Sequence, residues 1–343
     1  MGKFTFMSFL SEQWTRLPPP LQVDLTGKTV IVTGSNTGIG LEAAMHFARM
    51  RPARLIVACR SEDKGKAALE HIAQKSGYAA ELQLVDFADF ASVTAFAARL
   101  KDAPVDILVA NAGVGLSNFS LTKDGFEQAL QVNHLSSALL SFLLLPNLVK
   151  AAQEHKSNSR LALVTSEMHF TTRVDDELKS APKGILRTLS DPEYVTPERF
   201  SARYPETKMF NVMFARALAE HLPAAVPVVP DSVNPGFCYT ELRRNLWLSR
   251  RLMMAVMDFT LGRSAEQGAR QLVHAALGPD GKDGEHIQFM RGAYVSCNAV
   301  HEPSDFVISK EGHEVQERIW RETIDILAEA SPDIRRIVKE YCT

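Results

Sequence analysis

The feature that most constrains the fold is a series of short, continuously apolar segments separated by stretches with helical periodicity. The apolar segments lie at 29–33, 54–59, 82–85, 105–109, 160–165 and 226–233. In segments such as RLIVAC and DILVAN the apolar residues do not alternate with polar ones, so both faces of each strand are expected to be buried. Parallel strands that are covered by helices on both sides have this property. The pattern therefore predicts a doubly wound α/β fold with a parallel sheet.

The chain is interpreted as one Rossmann-fold domain with appendages, because no internal repeat, low-complexity tract or linker divides it. The domain is expected over residues 24–300, between an N-terminal arm at 1–23 and a C-terminal helical extension at 301–343. Two segments within the domain are treated as additions: a proline-punctuated insert at 167–203 and an apolar segment at 241–262. The extension carries a helical pattern near 314–330.

Charge and cysteine content exclude several classes of protein. Lys and Arg total 38 and Asp and Glu total 40, for a formal net charge of −2, and neither sign forms long runs. Nucleic acid and anionic membranes are therefore not expected as partners. The four cysteines have neither metal-ligand nor disulfide-framework spacing. This predicts free thiols, no metal site and a reducing, cytoplasmic location.

Two apolar stretches leave alternatives open. The apolar run of the N-terminal arm is too short to form a transmembrane segment. Its residues Phe9 and Trp14 are nevertheless compatible with contact to a membrane surface. Packing on the body of the protein or on a partner subunit is the favoured interpretation. The second stretch, SSALLSFLLLPNLV at 136–149, is compatible with a homodimer face or with the core.

Three glycines lie where the first strand must turn into a helix, in the stretch KTVIVTGSNTGIG at 28–40. Gly34 is expected to permit a tight turn, Gly38 to allow close approach of a phosphate, and Gly40 to allow close helix packing. The helical pattern LEAAMHFARM follows directly. A strand, a glycine loop and a helix N-terminus together predict a site for the pyrophosphate of a dinucleotide.

Further motifs follow in a fixed order: NAG at 111–113, VNH at 132–134, VTS at 164–166, YPETK at 204–208 and NPG at 234–236, with Thr240 beyond. In this order they resemble the short-chain dehydrogenase/reductase family over about residues 26–300. The stretches TGSNTGIG, ACR and PGFCYTEL are most similar to retinol-dehydrogenase-like members and to fungal members of secondary metabolism.

The resemblance implies a catalytic set of Asn133, Ser166, Tyr204 and Lys208. Tyr204 would be the proton donor to the alkoxide that hydride transfer leaves, and the ammonium of Lys208, four residues later on the same helix face, would lower its pKa. Ser166 would hold the substrate oxygen, and Asn133 would bind a water that links Lys208 to solvent. Pro205 disfavours helical backbone at Tyr204, so we expect it in the first turn of the helix.

The cofactor is expected to be NADP(H). Arg60 follows the second strand, where the resemblance places a carboxylate in enzymes that use NAD, and a guanidinium favours a 2′-phosphate. Lys64 is a weaker candidate for the same contact, and Asp86 with Phe87 would touch the adenine, an N-cap role for Asp86 being the alternative. The full set of expected cofactor contacts is Gly34, Ser35, Asn36, Thr37, Gly38, Ile39, Gly40, Arg60, Lys64, Asp86, Phe87, Asn111, Ala112, Gly113, Val132, Tyr204, Lys208, Pro235, Gly236 and Thr240.

The substrate is expected to be a small apolar carbonyl compound or alcohol. Ser166 and Tyr204 are unusually far apart in sequence, and the insert between them is expected to roof the site. The apolar segment 241–262 falls where the family places its substrate lid, and an oligomer contact or a surface helix is nearly as well supported. The favoured function is an NADPH-dependent carbonyl reductase. An alcohol dehydrogenase working oxidatively and a cofactor-binding sensor or scaffold without turnover are the alternatives.

Overall fold

A computed structural model describes residues 5–238, 261–281 and 285–342 of the chain. Within these ranges the strands form one eight-stranded sheet in the order β3-β2-β1-β4-β5-β6-β7-β8. All neighbouring pairs are parallel except β7 with β8. The strands are β1 Thr29–Thr33, β2 Arg54–Cys59, β3 Glu81–Leu84, β4 Ile107–Ala110, β5 Ser159–Val164, β6 Val228–Val233, β7 Tyr294–Ser296 and β8 Ala299–His301. The doubly wound α/β fold predicted from the sequence is confirmed.

Helices cover both faces of the sheet. In chain order they are α1 Phe6–Trp14, α2 Gly38–Arg49, α3 Glu62–Ser76, α4 Phe90–Leu100, α5 Gln128–Leu130, α6 Ser136–Leu143, α7 Leu145–His155, α8 Asp176–Lys179, α9 Ile185–Thr188, α10 Pro197–Ser201, α11 Arg203–His221, α12 Ala265–Leu277, α13 Glu285–Gln288, α14 Asp305–Ile308, α15 Lys310–Ala330 and α16 Asp333–Tyr341. A π-helical turn, Gln131–Leu135, joins α5 to α6, and a 3-10 turn, Glu167–Thr171, follows β5.

Two hydrophobic clusters explain why the strands are apolar throughout. Ile31 of β1 packs into a cluster with residues of α4, α6, α11 and α15, whereas its neighbours Val30 and Val32 pack on the other face with α2 and α12. Residues of this central strand therefore meet a helix on either face of the sheet, whereas the edge strands β3 and β8 have exposed residues. All five residues of β1 are buried, as the unbroken apolar run predicted.

The first six strands lie within about two residues of their predicted positions, the uncertainty usual for element ends. The antiparallel hairpin of β7 and β8 was not predicted, because each strand has only three residues and so shows no periodicity. The helical stretch expected near 314–330 is the longer helix α15. Residues of α15 and α16, among them Ile319, Trp320 and Ile334, belong to the same hydrophobic cluster as the sheet.

The insert at 167–203 packs differently from expectation. Ile185, Leu186 and Leu189 are buried in the core. The backbone N–H groups of Ile185 and Leu186 donate to the Glu322 carboxylate of α15 at 3.0 and 2.9 Å. The middle of the insert therefore forms a bridge to the C-terminal helices, while the roof over the site stays a prediction. The two ends of the insert lie next to Ser166 and Tyr204 in sequence.

The apolar segment at 136–149 is core within the single chain. Its leucines 139, 140, 144, 145 and 148 are fully buried, as is Phe142. Among the described residues, no single helix has the length and apolar composition needed to cross a bilayer. One bent pair, Gln128–Leu143 with Leu145–His155, meets those criteria by length and composition alone. Thr240 and positions 241–260 of the expected lid lie outside the described residues.

Candidate active site

The predicted site residues come together along the carboxyl edge of the parallel sheet. The first three strands fill one half of the sheet, and the chain then crosses from β3 to β4, which lies beside β1. In doubly wound folds a crevice forms at such a switch point, here between β1 and β4. The glycine loop leaves β1, Asn111–Gly113 follow β4, Ser166 follows β5 and Asn234–Gly236 follow β6. Parallel pairing therefore brings four separate motifs to one edge.

The glycine loop is held from within by the end of β4. The Thr33 hydroxyl accepts hydrogen bonds from the backbone N–H groups of Asn111 and Ala112, both at 3.0 Å. Asn111 Nδ2 donates to the Thr33 carbonyl at 2.8 Å. A Cβ on Gly40 would lie 2.5 Å from that same Nδ2 and 2.6 Å from the Gly34 carbonyl. Gly40 therefore permits loop packing against Asn111, whose amide is occupied by the loop.

Gly38 is built for a different purpose. It has φ +59°, and an added Cβ would meet no protein atom within 4 Å. Gly38 opens α2, whose N-cap Thr37 makes no side-chain capping bond and whose first turn contains no acidic residue. The free N–H groups and the positive end of the helix dipole face open space, which fits the pyrophosphate of a dinucleotide.

The other residues expected to contact the cofactor differ in how much of each residue is accessible. Ser35 is fully buried, and its hydroxyl donates to the Val32 carbonyl at 2.6 Å. The Phe87 and Val132 side chains lie in the core, so their backbone alone is left for a cofactor. Asp86 accepts from Ala88 N–H at 2.9 Å. The N-cap of α4 is Asp89, so the alternative role for Asp86 is wrong.

Arg60 is exposed at the end of β2. Within the ranges that the structure describes, its guanidinium makes no hydrogen bond or ion pair. Glu62, a competing partner by sequence, pairs with Lys66 at 2.7 Å. Lys64 is exposed on the first turn of α3, close in sequence to Arg60. The basic group after β2 is therefore available to an anion.

Tyr204 and Lys208 share one face at the start of α11. Pro205 lies in the first turn of that helix, as predicted, and Tyr204 is helical despite it. Lys208 Nζ is 5.7 Å from the Tyr204 ring centroid and donates to the Val164 carbonyl at 2.9 Å. Burial lowers the pKa of Lys208 to about 8. The ammonium is thus mostly protonated at neutral pH and lies close to a half-buried tyrosine.

Ser166 lies where β5 meets α11. Thr165 Oγ1 donates to the Lys208 carbonyl at 2.6 Å, which ties this strand end to the helix. Ser166 caps the following 3-10 turn by accepting from Met168 N–H at 3.2 Å. Its hydroxyl hydrogen is still able to bond a substrate oxygen. His169 is buried against this turn, and burial lowers its pKa to about 4, so it is neutral.

Asn133 lies in the π-helical turn and is fully buried. Its Oδ1 accepts from Val114 N–H at 2.7 Å, and its Nδ2 donates to Thr207 Oγ1 at 3.0 Å. Its backbone carbonyl accepts from Asn211 Nδ2 at 3.0 Å. A Cβ on Gly113 would lie 3.3 Å from Asn133 Oδ1 and 3.5 Å from Lys208 Nζ. Asn133 and Lys208 therefore meet beside Gly113, while the water-binding role of Asn133 stays a prediction.

Sequence reasoning missed a set of supporting residues. Thr207 and Asn211 bond Asn133 from the face of α11 that carries Lys208, and their spacing along the helix would have indicated them. Arg203 is 1% exposed; its Nε lies 3.5 Å from Glu127 and its Nη1 3.7 Å from Glu206. Burial raises the pKa of Glu206 to about 7. The Arg203 cluster links the start of the catalytic helix to α5, where Glu127 is the N-cap.

The fold and this edge of the sheet define a dinucleotide-dependent oxidoreductase, and comparison with known proteins identifies the family. A sequence model described as short chain dehydrogenase matches residues 28–190. The short chain dehydrogenase/reductase dmxR8 of Cryptosporiopsis sp. is 35% identical over 341 residues, covering 96% of this chain and 99% of the relative. The chain therefore belongs to the short-chain dehydrogenase/reductase family, as the motifs predicted.

Solved structures agree on the fold. An uncharacterised protein of Mycobacterium paratuberculosis is 25% identical with a TM-score of 0.63, covering 89% of this chain and 95% of that one. L-Sorbose reductase from Gluconobacter frateurii, solved with NADPH and L-sorbose, is 20% identical with a TM-score of 0.56, covering 80% and 97%. Both share the architecture described above.

Proposed function

We propose that the protein is an NADPH-dependent carbonyl reductase that acts on an apolar ketone or aldehyde. The observation that carries this proposal is the buried Lys208 ammonium beside Tyr204, at the strand end that presents Ser166. A cofactor-binding module without turnover has no use for a phenol held next to a buried cation. The alternative of oxidative turnover uses the same residues and differs only in direction.

The proposed chemistry assigns one task to each residue. NADPH, when bound, supplies the hydride. The Ser166 hydroxyl donates to the substrate oxygen and holds the carbonyl carbon in place for transfer. Tyr204 donates its phenolic proton to the oxygen as negative charge develops there, and the Lys208 ammonium stabilises the phenolate that remains. Gly34, Gly38 and the N-terminus of α2 would hold the pyrophosphate, and Lys208 would also bond the ribose.

Two observations support NADPH over NADH. The exposed Arg60 follows β2 without a protein partner among the described residues, where it is able to pair with a 2′-phosphate. L-Sorbose reductase, which shares the fold, was solved with NADPH. The apolar substrate class follows from the hydrophobic composition of positions 241–262.

The test is consumption of NADPH by the purified protein with a panel of apolar ketones and aldehydes. We expect turnover by wild type and a fall of about 10²- to 10⁴-fold in Tyr204→Phe. NADPH affinity should stay within about twofold, because the hydroxyl acts in the chemical step. Tyr194→Phe is the matched control, because Tyr194 lies in the middle of the insert beneath Arg199 and should keep normal turnover.

Three outcomes would contradict the proposal. Near-normal turnover in Tyr204→Phe would show that Tyr204 is not the proton donor. NADPH binding without reduction of any carbonyl would favour a sensor or scaffold. Turnover confined to alcohols with NADP⁺ would favour the oxidative direction.

A further inference from the structure

The back of the Asn234–Gly236 turn contains a concentration of buried polar groups that the proposed chemistry does not use. They come from the N-terminal arm, the turn after β5, the start of α12 and the hairpin of β7 and β8. Several of their atoms are buried without a hydrogen-bond partner among the residues that the structure describes, namely Gln13 Oε1, Glu167 Oε2, Arg263 Nη1, Gln271 Nε2 and Tyr294 OH. Unsatisfied buried polar atoms are costly, so such a concentration indicates a function.

Arg263 lies directly on the turn. It is 4% exposed, and its Nη1 would be 2.7 Å from a Cβ on Gly236. Its Nη2 donates to the Glu12 carbonyl and to Cys297 Sγ. Its backbone N–H donates to the Phe237 carbonyl at 2.9 Å. Gly236 has φ +79°, so a glycine is required there both for the backbone and for the approach of this guanidinium.

The N-terminal arm reaches the same turn from the other side. Gln13 is 7% exposed, and its Nε2 would lie 3.3 Å from the same Cβ on Gly236. The Phe9 ring packs edge-on against Phe237, with 6.3 Å between centroids. Leu17 is 4% exposed, and its carbonyl accepts from Arg270 Nη1 at 2.8 Å. The arm is therefore fixed on the body of the protein on both sides of Gln13.

A hydrogen-bonded chain connects the arm to the turn through the hairpin. Ser296 Oγ donates to Glu12 Oε2 at 3.1 Å and accepts from Asn234 Nδ2 at 3.2 Å. Asn234 Oδ1 in turn accepts from Gly236 N–H at 3.0 Å. Two routes thus lead from Glu12 to Gly236, one through Arg263 and one through Ser296 and Asn234.

We propose that Gln13 of the arm and Arg263 are positioning residues that fix the Asn234–Gly236 turn for cofactor binding, so that the N-terminal arm is part of the active site. The inference rests on the proposed function and on the contact with NADP(H) that the sequence predicts for Pro235 and Gly236. The arm acts from behind the turn, without reaching the reacting atoms. Glu12 is linked to the turn through Arg263 and Ser296. Gln13 lies against Gly236, and the Phe9 ring packs on Phe237.

The experiment compares three full-length variants with wild type: Gln13→Ala, Arg263→Lys and, as the matched control on the same helix, Trp14→Ala, since Trp14 is 68% exposed. Each is measured for NADPH affinity by fluorescence titration without substrate, for thermal unfolding, and for kcat/KM. We expect Gln13→Ala and Arg263→Lys to weaken NADPH affinity and kcat/KM by about ten- to hundredfold, since a small misplacement of binding groups is costly. Trp14→Ala should match wild type in both.

Unchanged NADPH affinity in Gln13→Ala and Arg263→Lys would overturn the inference. Equal losses in Trp14→Ala would also overturn it, because the arm would then act only through folding. If Arg263→Lys does not fold, Gln13→Ala decides alone. A wild type that binds NADPH but reduces no carbonyl refutes the proposed function and leaves the affinity comparison valid, so the two failures are distinguishable.

Discussion

The two sides of the active site are built in opposite ways. On the glycine-loop side, the polar groups of Thr33, Ser35 and Asn111 are all bonded to nearby backbone. On the side that contains the catalytic helix and the Asn234–Gly236 turn, Arg203 and Arg263 are buried with guanidinium nitrogens that have no hydrogen-bond partner within the described ranges. The side chains of the glycine-loop side thus satisfy one another and the local backbone, whereas the second side contains buried charge that is incompletely compensated.

This difference has a physical reason. A pyrophosphate is the same ligand in every turnover, and a rigid loop of backbone donors around it needs no adjustment. The catalytic side must hold Lys208 charged and out of water, which costs stability. It is also assembled from segments that are remote in sequence: the arm, the insert and the C-terminal helices. A substitution on the second side should therefore gain stability while it loses function, whereas one on the glycine-loop side should lose both.

Lys208→Met should show this separation with the largest effect. We expect turnover to fall by about 10²- to 10⁴-fold, because Tyr204 loses the cation that stabilises its phenolate. NADPH affinity should fall as well, because Lys208 is also assigned to the ribose. Steady-state kinetics and a fluorescence titration check both. A defect in only one of them would contradict the dual role.

The same variant should be more stable than wild type at neutral pH. Burial lowers the pKa of Lys208 from 10.5 to about 8, so the folded state binds this proton less tightly than the unfolded state does. The penalty, roughly 3 kcal/mol, is present below about pH 8 and disappears as pH rises toward 10.5. Denaturant unfolding of both proteins from pH 7 to 10 should show the advantage of Lys208→Met shrinking. A constant difference would contradict the burial cost.

Gly38→Ala tests the glycine-loop side of the site. Gly38 and Gly77 both have positive φ, +59° and +67°, and neither Cβ would meet an atom within 4 Å. Alanine at either position should cost about 1–2 kcal/mol of stability through left-handed backbone strain. Only Gly38→Ala should also weaken NADPH binding, by roughly a hundredfold, because the methyl group occupies the open space at the N-terminus of α2. Equal NADPH affinity in Gly38→Ala and Gly77→Ala would show that this loop does not bind the pyrophosphate.

The sequence predicted best the parts of the site whose determinants are local. The glycine loop is a short stretch, and Tyr204 and Lys208 are one helical turn apart, so spacing alone brings them together. The parts that it missed depend on contacts that have no local pattern. Arg263 meets Glu12 across 251 residues, and Arg187 of the insert meets Glu329 across 142. The packing of the insert's apolar residues toward α15 was not predicted for this reason.

The smallest expected effect concerns Arg60, which lies on the glycine-loop side but, unlike Thr33, Ser35 and Asn111, has an exposed side chain. A guanidinium on a 2′-phosphate should contribute about 1.5–3 kcal/mol, roughly a ten- to hundredfold preference for NADPH over NADH. Arg60→Asp should erase that preference and tilt it toward NADH, because a carboxylate repels the phosphate and accepts hydrogen bonds from a free ribose hydroxyl. Lys75→Asp, the same charge change at the exposed far end of α3, should leave the preference as in wild type. The measurement is kcat/KM with both cofactors. An NADH-preferring wild type, or an unaltered ratio in Arg60→Asp, would show that another group selects the cofactor, with Lys64 as the next residue to replace.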